Sequence, residues 1–185
     1  VVRECYGHCA KAIIRSTLWA AAPCEAPAAI ADFVAASRFL ALATIGARGE
    51  ADISPKGDPA GCMVQMDGDR LWFADRPGNR RADRFRNIVG RSSIAIGLLV
   101  PGAARILHVA GTARLTTDDT IRQRCRVQDK VPLLAVEIRV ESATLSASYA
   151  WTKAAPWPLR QQSDINPTQL FRDHVRRNRS GGLRG

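Results

Sequence analysis

Short apolar runs cut by glycine-rich turns fill the middle of the chain, and they constrain its fold more than any other feature. Arg38 to Ile45 is one such run. Gly46-Ala47-Arg48-Gly49 reads as a hairpin turn into a second strand over Glu50–Pro55. Gly61–Met66 is a third strand, closed by Asp67-Gly68-Asp69, and Leu71–Ala74 is a fourth. Ser92–Val100 and Arg105–Thr116 are longer strands around Pro101-Gly102. Val131–Leu145 is the last, alternating as Val136, Ile138, Val140. Short helices are expected over 28–37, with Ile30, Phe33 and Val34 as apolar contacts, and over 118–127. Another starts at Asn166-Pro167, with Leu170, Phe171 and Val175 on one face. There is no βαβ alternation and no Gly-x-Gly-x-x-Gly. The pattern predicts a mainly β fold, a closed Greek-key antiparallel barrel with flanking helices, and not a parallel sheet.

The stretch from Leu71 to Ile88 is where chemistry concentrates. Leu71, Trp72 and Phe73 form a strand that Arg76-Pro77-Gly78-Asn79 breaks. Asn79 suits an N-cap, and Ala82, Phe85, Ile88 and Val89 then give a helical apolar stripe. Arg80 and Arg81 fall in the first turn of that predicted helix. Unpaired N–H groups and partial positive charge at a helix start suit anions, so two arginines there form either a phosphate cradle or a solvated basic helix end. Arg84 and Arg86, further along, are expected to be ordinary surface charges.

Charge sharpens the question. The net charge is +10, with one basic group around Arg76–Arg91. The segment from Arg172 to Gly185 carries five arginines against one aspartate. Such a balance suits polyanions, yet this tail has no interleaved aromatics for stacking on single strands and reads as a solvated end. Cys5, Cys9, Cys24, Cys62 and Cys125 are odd in number and match no zinc or redox spacing, so free thiols in a reducing cytoplasm are expected. No apolar run reaches the roughly 18 residues of a membrane span, and no signal peptide is recognised. His8, His108 and His174 are the three histidines, and they support neither Ser-His-Asp nor Cys-His catalysis. His108, in an apolar strand, reads as a core or lining residue.

Two segments carry a resemblance. The order Phe73-Ala74-Asp75-Arg76-Pro77-Gly78-Asn79-Arg80-Arg81-Ala82 resembles the FMN-phosphate loop of the pyridoxamine 5'-phosphate oxidase-like flavoproteins, where a Ser-Arg-Lys usually stands in place of Asn79-Arg80-Arg81. Ser54-Pro55-Lys56-Gly57-Asp58 resembles the end of the strand that meets the flavin ring in those proteins. The likeness covers about residues 28–150 and implies an FMN-binding split barrel, acting as a homodimer with the cofactor across the interface. It implies contacts to FMN from Ile53, Ser54, Pro55, Lys56, Asp75, Arg76, Asn79, Arg80 and Arg81, and a flavin oxidoreductase acting on a small molecule. Ile106 stands where relatives that oxidise pyridoxamine phosphate carry a glutamine against the flavin, and their C-terminal Trp…Arg segment has no match. The resemblance therefore implies FMN binding and not vitamin B6 oxidation. Deazaflavin F420 or haem on the same fold, or a basic polyanion-binding module, are the alternatives; nucleic acid and membrane partners are not expected.

The ends read differently. His8 to Trp19 resembles the closing segment of one bacterial subfamily of these flavoproteins, but here it precedes the barrel. Val2–Trp19 and Val140–Trp157 share spacing, with Ala12 over Ala150 and Arg15 over Lys153, as in a trace of tandem domains. The expected organisation is an N-terminal segment over 1–27, a barrel domain over 28–158 and a basic extension over 159–185.

Overall fold

The computed structural model describes residues 27–76 and 82–155, and scattered positions between 166 and 176. Among the described residues seven strands form one sheet. They are β1 (Phe39–Ile45), β2 (Ala51–Gly57), β3 (Gln65–Asp67), β4 (Arg70–Ala74), β5 (Ser93–Leu99), β6 (Arg105–Thr116) and β7 (Ala135–Ala147). The helices among the described residues are α1 (Ile30–Ala36), α2 (Asp83–Gly90), α3 (Asp119–Arg124) and α4 (Tyr149–Ala154). The strand order is β2-β1-β5-β6-β7-β4-β3, with every pairing antiparallel. β5, β6 and β7 follow one another and β4 returns beside β7, which makes the expected Greek key.

The inward face of the sheet holds Leu40, Leu42, Leu71, Phe73, Ile94, Ile96, Leu98, Leu107, Val109, Val136 and Ile138, all buried. These positions alternate along each strand, as a half-buried strand requires. Phe33 and Val34 of α1 and Ile88 of α2 complete the core. Ser37 closes α1 by donating its hydroxyl to the Phe33 carbonyl at 2.7 Å. Asn87 ties α2 to β1 through a bond from Nδ2 to the buried Thr44 hydroxyl at 3.0 Å.

The sheet does not close through hydrogen bonds. β2 and β3 are its two edges, so the closed barrel read from the strand spacing is an open, split one. The cause lies between them. Residues 58–64, expected to begin a strand at Gly61, instead turn beneath α1. Gly61 adopts φ +74° and donates its N–H to the Ala35 carbonyl at 2.8 Å, so this backbone pairs with a helix end and not with a strand. Other boundaries moved as well. β2 runs on to Gly57, because Pro55 costs an edge strand no ladder bond. The last strand starts at Ala135 and ends at Ala147. α2 starts at Asp83, with Ala82 and not Asn79 in the N-cap position and no side-chain cap. Among the described residues no helix is long and apolar enough to cross a membrane. Asn166 accepts from the Gln169 N–H at 3.1 Å, the capping bond expected there. Leu170, Phe171, Val175 and the segment over 1–26, with its trace of a tandem repeat, lie outside the described residues.

Candidate functional site

The end of β2 and the end of β4 meet although about 18 residues separate them in the chain. Arg76 makes the junction. Its Nε donates to Asp58 Oδ2 at 2.7 Å and its Nη2 donates to the Cys125 carbonyl at 2.8 Å. Both partners of the ion pair are largely buried, with side chains 14% and 11% exposed. A paired, buried guanidinium of this kind is a strut, because removing either partner strands a charge. Asp75, next to it, accepts from Arg84 Nη2 at 2.5 Å and donates its N–H to the Leu134 carbonyl at 2.9 Å. Lys56 lies with Nζ 5.7 Å from the centroid of the Phe73 ring, within range for a cation–π contact. One corner of the molecule thus gathers Lys56, Asp58, Asp75, Arg76 and Arg84.

Of the residues proposed from sequence, the structure brings Lys56, Asp75 and Arg76 together here. It sets Ile53 and Pro55 on the opposite, outward face of β2, with Ile53 71% exposed and Ser54 half-buried on the side shared with Lys56. Asn79, Arg80 and Arg81 lie outside the described residues. Arg76 is engaged by Asp58 and the Cys125 carbonyl. Arg84 differs from its expected role as a surface charge: its side chain is 13% exposed and bonded to Asp75. No local pattern announces that pair, since the two residues stand 9 apart in the chain. Cys125 lies under the strut and is buried. Burial pushes its thiol up to about 11, with nearby Arg76 pulling the other way.

No described strand pairs with the outer edge of β2, so alternate N–H and C=O groups there are open to a planar hydrogen-bonding partner. Beside that edge the outward face is made of small residues in register. One row runs Ile53, Ala43, Ala95, Ala110, Ser142, and the next runs Pro55, Ala41, Gly97, His108, Thr144. All of them but Pro55 line a shallow cavity of about 300 Å³. His108 is exposed on this face, so it is a lining residue and not a core one.

The family model for pyridoxamine 5'-phosphate oxidase matches residues 26–179. The chain belongs to this family. Among solved structures it is similar to a variant of HupZ from Group A Streptococcus, at 18% identity over 66% of this chain and 100% of that one, with a TM-score of 0.52. It is also similar to General Stress Protein 26 from Bacillus anthracis, at 13% identity over 63% and 89% of the two chains, with a TM-score of 0.49. An F420 reductase aligns at 18% identity over 64% and 98%, with a TM-score of 0.47. No curated protein matches the sequence.

Within the pyridoxamine 5'-phosphate oxidase family, the position of Arg105-Ile106 is informative. Arg105 donates from Nη2 to the Pro27 carbonyl at 3.0 Å, tying β6 to the segment before α1. Ile106 packs its Cγ2 toward Gly97, the residue at the centre of the small-residue rows. An aliphatic side chain there offers a cofactor no hydrogen bond, whereas the open edge of β2 offers several.

Proposed function

We propose that this protein is an FMN-binding flavoprotein, an oxidoreductase acting on a small molecule, and that it works as a homodimer. The observation that carries the reading is the meeting of β2 and β4 through Arg76 and Asp58 at 2.7 Å, which joins the two segments that resemble the flavin-ring and flavin-phosphate contacts of the family. The residues fit the cofactor. The open edge of β2, over Ile53–Lys56, supplies backbone groups for the imide edge of a flavin, and Lys56 supplies positive charge. Asp58 and Asp75, which would repel a phosphate, are neutralised by Arg76 and Arg84. The family resemblance assigns the phosphate dianion to Lys56, Arg80 and Arg81. Bound FMN would supply hydride and electron transfer; the chain's residues would anchor and orient it. The flat rows of small side chains are the surface on which a second copy lies. Ile106, which replaces a hydrogen-bonding residue, supports a substrate other than pyridoxamine phosphate. The cytoplasmic placement rests on free thiols such as Cys62 and Cys125.

The test is a fluorescence titration of FMN and of riboflavin into the wild type and Arg81→Ala. Loss of one charge-assisted phosphate contact should weaken FMN roughly 10- to 150-fold and leave riboflavin, which has no phosphate, nearly unchanged. An unchanged ratio of the two affinities would show that the loop does not hold the phosphate. A purified protein without flavin absorption that takes up no FMN would sink the whole reading.

A further inference from the structure

Two arginines, Arg70 and Arg114, share one carboxylate on the outward face of β4, β6 and β7, and Arg139 stands beside them. The register sets Arg114 opposite Glu137 and Glu137 opposite Trp72; in the next row Thr112 faces Arg139 and Arg139 faces Arg70. Glu137 is buried at 5% exposure. Its Oε1 accepts from Arg70 Nη1 at 2.6 Å, and its Oε2 lies 2.5 Å from Arg114 Nη2. The carboxylate holds one end nitrogen of each guanidinium and so fixes the direction of both forks. With Ser92, Thr112 and Arg139 these residues line an open cleft of about 450 Å³.

The arrangement is costly without an anion. Arg70 and Arg139 are like charges directly opposed on neighbouring strands, a destabilising pairing. Three cations line the cleft against one carboxylate, a balance of +2. Asp69 reaches Arg139 only at 3.7 Å. Guanidinium forks of fixed direction suit phosphate oxygens, and the Ser92 and Thr112 hydroxyls add donors. An adjoining cavity of about 550 Å³ shares Arg70 and Arg114 and is also lined by Arg124, which pairs with Asp67 at 3.4 Å, and by Asp69 and Asp118. Its three carboxylates offset its three arginines, so it offers no excess positive charge to a continuous phosphate backbone but leaves room for the uncharged part of a small molecule.

We propose that this cleft binds a small phosphate monoester, whose dianion matches the +2 lining, through Arg70, Arg114 and Arg139. It is separate from the flavin corner, because Arg70 and Asp75 stand at opposite ends of β4, roughly 17 Å apart at the usual strand rise. The experiment is calorimetric titration of the full chain with phenyl phosphate at constant ionic strength. One equivalent should bind saturably to the wild type. Arg114→Gln and Arg139→Gln, both at well-exposed side chains, should weaken it roughly 10- to 100-fold. Arg48→Gln, at an exposed arginine paired with Glu50 elsewhere, should not change it. Arg81→Ala should not change it either, and FMN affinity should survive in Arg139→Gln. Three results would overturn the proposal: no saturable binding at millimolar probe, a loss at Arg81 with none at Arg139, or duplex DNA binding more tightly than phenyl phosphate and failing in the same variants.

Discussion

β6 and β7 run through two outward faces of opposite character. Around His108, Ala110, Ser142 and Thr144 they carry small, mostly uncharged side chains; around Thr112, Arg114, Glu137 and Arg139 they carry a charged cluster. What divides the faces is a bulge. The pairing steps from Ala110–Ser142 to Gly111–Val140 and leaves Glu141 as an extra residue. Were β7 regular through Glu141, the parity fixed by Ser142 and Thr144 would turn Ile138 and Val136 out to solvent and Glu137 and Arg139 into the core. By absorbing Glu141 the bulge keeps the core dry and the charged side chains outward. The comparison teaches that one backbone feature sets two chemistries side by side: small, mostly uncharged side chains on one face and a cationic cleft on the other.

The severest way to break this division is to remove the glycine at the bulge. A Cβ on Gly111 would run into the Arg139 carbonyl oxygen, a backbone obstacle that cannot rotate away. Gly111→Ala should cost about 3 kcal/mol, the upper end of ordinary overpacking, read from the urea unfolding midpoint. A loss under about 0.5 kcal/mol, the scale of an ordinary surface change, would mean the strands pass the bulge freely. Next comes a change on the small-residue face. Ala95 is exposed at the centre of its row, between Ala43 and Ala110. Ala95→Arg should place a charge at the proposed dimer contact, at a cost on the order of several kcal/mol per desolvated ion. Light scattering at micromolar protein should then give 20.1 kDa where the wild type gives twice that mass. A wild-type monomer, or a variant that stays dimeric, would show that this face is not the interface.

The charged face should respond more weakly and differently. Glu137→Gln removes the carboxylate that two arginines share, but Arg70 and Arg114 are 54% and 65% exposed, so water screens much of the change. The expected loss is about 1–2 kcal/mol at low salt, shrinking at high salt as repulsion among the arginines is screened. Ala95→Arg should show no such recovery within a single chain. A salt-independent Glu137→Gln loss would mean that packing, not charge, holds the cluster.

These two faces also mark how far the sequence could be read. β6 appears at its predicted limits, Arg105–Thr116, and the alternation of Val136 and Ile138 correctly gave the core side of β7, because strand period is a local property. Lys56, Asp75 and Arg76 were legible as one group through motif order. Non-local consequences were not legible. Nothing near Arg84 in the chain announces its bond to Asp75, and nothing in Arg70, Arg114 or Arg139 reveals that a bulge and three strand registers set them around Glu137. The same holds for the open barrel, where the backbone at Gly61 pairs with α1 instead of a strand.

The smallest expected effect lies beneath the charged face, where Cys125 is buried against Trp72, Ala74 and Ala135. Its thiol is raised from 9.0 to about 11, first by desolvation, with Arg76 opposing. A folded-state value above the unfolded one means that the neutral thiol is favoured in the fold. Between about pH 9 and 11 the unfolded chain releases this proton and the folded chain keeps it, so the unfolded state binds fewer protons and stability falls as pH rises. Below pH 9 both states hold the proton and the contribution is constant. Cys125→Ala should lower stability by a fixed amount at neutral pH through lost packing, and then close the gap to the wild type as pH climbs through that window. Urea midpoints of both proteins from neutral pH upward measure the gap. A constant gap up to pH 11 would show that the thiol ionises alike in both states, and that water reaches the space under α3 from the side of the arginine cluster.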